Sequence, residues 1–101
     1  MTQEEKKEEA KKALCEIFAK IDDAGDFALL LEDLCTYNEF EQLAQRLYAA
    51  RLFLEGGTYS TINEETSVSS ATLSRISRCI RHGSGGYGVV LKRLIDEQSR
   101  N

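Results

Sequence analysis

The stretch YSTINEETSVSSATLSRISRCIRH, running from Tyr59 to His82, decides how this chain folds. It contains two short runs of helical periodicity separated by Ser67-Val68-Ser69. The first run, about 60 to 66, can be capped by Ser60 or Thr61, and Thr61-x-x-Glu64 has the form of a capping box. In such a box a hydroxyl and a carboxylate each engage a backbone N–H left over at a helix start. Ser69 caps the second run, which extends to about Arg81. Ile62, Val68, Leu73 and Ile76 fall where two crossing helices need apolar contact: one on the first helix, one in the turn and two on the buried side of the second. The pattern is that of a helix-turn-helix. Two positions depart from it: Asn63 stands where a small alanine is common, and Ser67 where glycine often eases the turn.

The second helix leaves Ser70, Ala71, Ser74, Arg75, Ser77, Arg78 and Arg81 on its other faces. A helix that reads DNA must approach base edges closely, so its first turn should be small and able to hydrogen-bond. Ser69, Ser70, Ala71 and Thr72 meet that need, and alanine or threonine methyls can contact the thymine methyl. Arg75, Arg78 and Arg81 recur every three residues, which suits guanine edges or phosphates, and His82 joins them when protonated. Tyr59, Ser60, Thr61 and Arg81 are expected against phosphates. Double-stranded DNA is the partner this pattern predicts.

Charge supports the same face. The formal net charge is −4, but it is unevenly distributed. Residues 1–68 hold 7 lysines and arginines against 15 acids, and residues 69–101 hold 6 against 2. No acid occurs between Val68 and Asp96. Such a division attracts a polyanion to one surface and repels it from the rest.

The absence of proline leaves glycine and local capping as the only helix breaks. Residues 3 to about 21 predict a helix with Ala10, Leu14, Ile17, Phe18 and Ile21 on one stripe. Residues 26–34 predict a second, with Phe27, Leu30, Leu31 and Leu34 at helical spacing. Thr36 and Glu39 form a capping box that opens a long central helix over 37–55, ended by Gly56. Phe40, Leu43, Leu47, Ala50 and Leu54 make one apolar stripe on it, and Ala44, Tyr48, Leu52 and Phe53 widen it. A helix apolar on more than one side needs partners on more than one side, and so short a chain has few to offer. A second subunit is therefore expected. Gly83 to Gly86 read as a hinge, and residues 87–98 as a last helix carrying Tyr87, Val90, Leu91, Leu94 and Ile95.

The expected architecture is all-α, with about six helices in one domain over residues 1–101. Within it, 1–34 form N-terminal helices and a dimer arm, 36–56 the central helix, 59–82 the helix-turn-helix, and 87–98 a C-terminal dimerisation helix. Cys15, Cys35 and Cys79 show no CxxC spacing, and an odd count suits small buried thiols in a reducing compartment. The longest apolar run, Phe27 to Leu31, is far below the roughly 20 residues of a membrane span. The polar start, Met1 to Lys12, is no secretory signal, so a cytoplasmic location without membrane attachment is expected.

Enzyme chemistry finds little footing. His82 is the single histidine and has no sequence partner for a triad or a metal site. Gly83-Ser84-Gly85-Gly86-Tyr87-Gly88 lacks the GK[ST] ending of a phosphate loop and follows a helix rather than a strand. No catalytic or metal-binding residue is assigned.

From Leu34 to Leu94 the chain resembles the Trp-repressor superfamily, most closely its YerC/YecD-like branch. The stretches that carry the likeness are Leu34-Cys35-Thr36, Leu43-Ala44-Gln45-Arg46-Leu47 and Glu65 to Arg75, with Ala71-Thr72-Leu73-Ser74-Arg75 the most distinctive. The resemblance implies an interlaced all-α homodimer that regulates transcription, its two recognition helices entering successive major grooves about 34 Å apart. It also implies a corepressor pocket, L-tryptophan in the best-known member, at positions matched here by Thr36, Arg46, Arg75 and Cys79. Ile76 stands where tryptophan-binding members have glycine, so another small ligand, or none, fits better. A reading from a different class is a helical adaptor that keeps the motif as scaffold and binds only protein. The charge division and the small polar turn at residues 69–72 favour DNA.

Overall fold

Short polar side chains start the helices, because the first N–H groups of a helix have no carbonyl to reach. The computed structural model describes residues 1–100 and, among them, contains helices and no strand. The helices are α1 (Gln3–Lys20), α2 (Ala24–Leu34), α3 (Tyr37–Leu54), α4 (Tyr59–Glu65), α5 (Ser70–His82), a π-helical segment (Gly86–Leu91) and α6 (Lys92–Ser99). The all-α class with six α-helices is the one anticipated. The chain is arranged as two compact units, Met1–Phe40 and Glu41–Asn101.

In the first unit Thr2 caps α1, its hydroxyl accepting from the Glu5 N–H at 3.1 Å while the Glu5 carboxylate accepts from the Thr2 N–H at 3.1 Å. Asp23 caps α2 by accepting from the Asp26 N–H at 2.9 Å, so this helix starts at Ala24, two residues before the start at 26 that the sequence predicts. Phe18 and Phe27 meet edge to face, with ring centroids 5.0 Å apart. Neither α1 nor α2 buries a residue fully, and Leu14, Ile17, Leu29 and Leu34 are exposed.

Among the described residues, the buried core lies in the second unit: Ala49 and Ala50 of α3, Ile62 of α4, Val68 of the turn, and Leu73 and Ile76 of α5. The two alanines are fully buried, and Ile62 and Leu73 supply the largest fully buried side chains. Truncating either to alanine removes about 2–5 kcal/mol, a large share of a small domain's stability. Leu52, Phe53, Ile80, Tyr87 and Leu91 close around this cluster. Gly56 ends α3 with φ +94°, a backbone region that glycine enters without strain, and its N–H bonds the Phe53 carbonyl at 3.1 Å.

Three details differ from expectation. The cap of α4 is Thr58, which accepts from the Thr61 N–H at 3.2 Å; Thr61 turns its hydroxyl back onto Thr58 at 2.7 Å, and the Thr61–Glu64 box does not form. The last helix is two segments, because the Gly85 carbonyl accepts from both Val89 and Val90 and widens the helix before α6 begins. Cys15 is exposed and Cys35 and Cys79 are half-buried, so none is a core thiol.

Candidate nucleic-acid interface

The turn between α4 and α5 is built from its own hydroxyls. Thr66 bonds the Ile62 carbonyl with both its N–H (3.0 Å) and its hydroxyl (2.9 Å), and the hydroxyl oxygen also accepts from the Val68 N–H at 3.3 Å. Gln45 on α3 accepts from the Ser67 N–H at 3.4 Å, holding the turn to the central helix. A serine without left-handed φ thereby does what glycine was expected to do. Ile62 and Leu73 are 0% exposed, Ile76 2% and Val68 8%, so the four crossing residues read from the sequence are the ones that seal the motif.

Ser69 caps α5, accepting from the Thr72 N–H at 3.2 Å and donating to the Thr72 hydroxyl at 3.1 Å. The Ser69 hydroxyl is thus committed to the helix start, and Thr72 is half-buried. Ser70, Ala71, Ser74, Arg75, Arg78, Arg81 and His82 lie exposed along one side of α5, opposite Leu73 and Ile76. Ion pairs among the described residues link Glu4 to Lys7, Glu8 to Lys11, Arg51 to Glu55 and Asp96 to Lys92. Arg75, Arg78 and Arg81 belong to none of them. This side of α5 is therefore cationic, small at its N-terminal turn and free of carboxylate partners among the described residues.

At the start of α4, Ser60 and Thr61 are exposed. Tyr59, expected against a phosphate, instead turns its phenol onto α5. Its hydroxyl donates to the Ser70 carbonyl at 2.8 Å and is hydrogen-bonded to the Ser74 hydroxyl, and its ring stands edge-on to Phe53 at 5.8 Å. Asn63, which the sequence marked only as an odd residue in the motif, donates to the Ser70 hydroxyl at 3.3 Å. The roles of Asn63 and Gln45 escaped the sequence because their partners lie on other helices. The one available hint was a carboxamide sitting where the motif favours alanine.

The positions implied for a corepressor are also accounted for. Thr36 caps α3, accepting from the Glu39 N–H at 3.1 Å while the Glu39 carboxylate accepts from the Thr36 N–H at 2.8 Å. Those contacts, first the Thr36 backbone N–H and then its side chain, hold the Glu39 carboxyl below the usual glutamate range. Arg46 is half-buried and donates Nε to the Gln42 carbonyl at 3.4 Å. Arg75 is exposed, Cys79 is half-buried and Ile76 is sealed in the core.

Comparison with known proteins agrees with this construction. The family model described as Trp repressor protein matches residues 9–95. The uncharacterised protein YerC of Bacillus subtilis (strain 168) is 44% identical over 70 residues, which cover 69% of this chain and 67% of YerC. The crystal structure of a candidate Trp repressor from Staphylococcus aureus superposes with a TM-score of 0.79 at 34% identity, covering 93% of this chain and 95% of that one. That of a TrpR-like protein from Eubacterium eligens ATCC 27750 gives 0.78 at 36% identity, covering 85% and 89%. In the described residues no helix is long and apolar enough to cross a membrane.

Proposed function

The chain belongs to the Trp repressor protein family, a family of transcription regulators rather than enzymes, and from that premise we propose that it is a sequence-specific DNA-binding regulator acting as a homodimer. The carrying observation is the exposed side of α5. Ser70, Ala71, Ser74, Arg75, Arg78 and Arg81 share it, with no carboxylate paired to its arginines among the described residues. In the proposal, α5 enters the major groove by its N-terminal turn. Ser69 and Thr72 shape that turn, Ser70, Ala71 and Ser74 face base edges, and Arg75 and Arg78 reach guanine or phosphate. Ser60, Thr61 and Arg81 flank the helix against the sugar-phosphate backbone. The acidic remainder of the chain keeps DNA on this one face. Repression is the mode we favour, with the operator blocked by occupancy.

Mobility shift across a salt series tests the reading. Binding should weaken steeply as salt rises, because counterions released from the duplex drive association. Arg75→Ala should cost about 1–3 kcal/mol of binding and, where the contact is to phosphate, lower the salt slope by about one. Ser70→Glu places an anion at the closest approach and should abolish the shift. Binding unchanged in both variants would remove α5 from the interface.

A further inference from the structure

We propose that Tyr59 is a positioning residue for sequence choice: by taking the hydroxyl hydrogen of Ser74, it makes Ser74 meet the DNA as an acceptor that selects a base amino group over a base carbonyl. The inference rests on the DNA-binding reading above.

A phenol carries one hydrogen, and a carbonyl oxygen can only accept. The Tyr59 hydroxyl contacts the Ser70 carbonyl at 2.8 Å and the Ser74 hydroxyl at the same time. Both contacts are satisfied in one way: Tyr59 donates to the carbonyl, and Ser74 donates to the Tyr59 oxygen. The single hydrogen of Ser74 is then spent inside the protein, and its exposed Oγ offers lone pairs. In the major groove the donors that fit lone pairs are adenine N6 and cytosine N4, while guanine O6 and thymine O4 are acceptors and are rejected.

Two further contacts keep the device in place. Phe53, half-buried against the core, stands edge-on to the Tyr59 ring at 5.8 Å and supports one side of it. Asn63 Nδ2 donates to the Ser70 hydroxyl at 3.3 Å, which occupies a lone pair there and leaves the Ser70 hydrogen directed away from Asn63. Neighbouring serines one helical turn apart are thus given opposite polarities by residues of α4. Unrestrained, a serine hydroxyl rotates to suit either kind of base edge.

The test uses the full-length protein and the tightest duplex it recovers from a randomised library, together with variants of that duplex in which each amino-bearing base is exchanged for a keto-bearing one. The wild type should favour the amino base by about tenfold at one position per half-site, and Tyr59→Phe should reduce this to about twofold. The salt slope should not change, because no phosphate contact is lost. Ser74→Ala should lose the same preference, and the double variant should be no worse than Ser74→Ala alone, as for two residues in one network. A uniform loss of affinity for all duplexes in Tyr59→Phe, an unaltered preference, or additive effects would each overturn the proposal. Should thermal melting show Tyr59→Phe unfolded, Ser74→Ala must lose the preference and Ser74→Thr must keep it, and the preference surviving in Ser74→Ala overturns the idea. A wild type that recovers no duplex defeats the DNA-binding reading itself; one that binds selectively, with Tyr59→Phe without effect, defeats only this inference.

Discussion

Single side chains set the helix starts, and their chemistry is local enough to be titrated. Glu39 accepts from the Thr36 N–H and is held below the usual glutamate range by that contact. A carboxyl whose value is lowered on folding stabilises the fold above its unfolded value, and the contribution is lost as pH falls through the folded one. Glu39→Gln keeps a group able to accept the same hydrogen bond but removes the charge. Its thermal midpoint should therefore fall less than that of the wild type on acidification through the carboxylate range, and parallel curves would contradict the assignment. The Thr36 box was legible because both partners lie three residues apart on one helix. Tyr59 was expected against a phosphate, and its bonds to Ser70 and Ser74 were not foreseen, since those residues lie eleven and fifteen positions on. Nothing local in the sequence specifies such a distant pairing.

At the scale of the element, the π segment is where reading and structure diverge most. Tyr87, Val90, Leu91, Leu94 and Ile95 satisfy an ordinary helical period, which is why residues 87–98 read as one α-helix. The extra width comes from packing. Gly88 lies so close to α5 that a Cβ there would stand 2.7 Å from the Ile80 carbonyl oxygen. That approach sets Tyr87 and Leu91 against the core, and the wide turn lets both reach it. Gly88→Ala puts the new methyl against backbone that cannot rotate away, so urea unfolding should show a loss of about 1–3 kcal/mol. An unperturbed midpoint would mean that the close approach is not needed.

For the whole molecule, the question is what covers its apolar surface. Leu43, Leu47 and Tyr48 on α3 and Val89, Val90 and Leu94 near the C-terminus are exposed in the single chain, a larger set than a small monomer usually leaves in water. The homodimer we propose buries such faces against a second copy, and light scattering at micromolar concentration should give twice the mass of the 11.4 kDa chain. A monomeric mass would leave those faces unexplained and remove the paired recognition helices. Ligand dependence belongs to the same scale. Ile76, where tryptophan-binding members have glycine, is sealed into the core, so calorimetric titration with L-tryptophan should give no heat of binding, and a saturable heat would assign a corepressor to Thr36, Arg46, Arg75 and Cys79.

The all-α class, the helix-turn-helix, its four sealing residues and the cationic side of α5 were all legible in the chain's local patterns. Each is written in contacts a few residues apart: periodicity, a hydroxyl three positions before an N–H, a run without acids. Packing between helices, in contrast, settled that α6 is preceded by a π turn and that Tyr59 and Asn63 bond to the recognition helix. Those features depend on which atoms of separate helices come within hydrogen-bond or van der Waals distance. That distance is settled by how Ala49, Ala50, Ile62, Leu73 and Ile76 pack together, and no single stretch of chain encodes it.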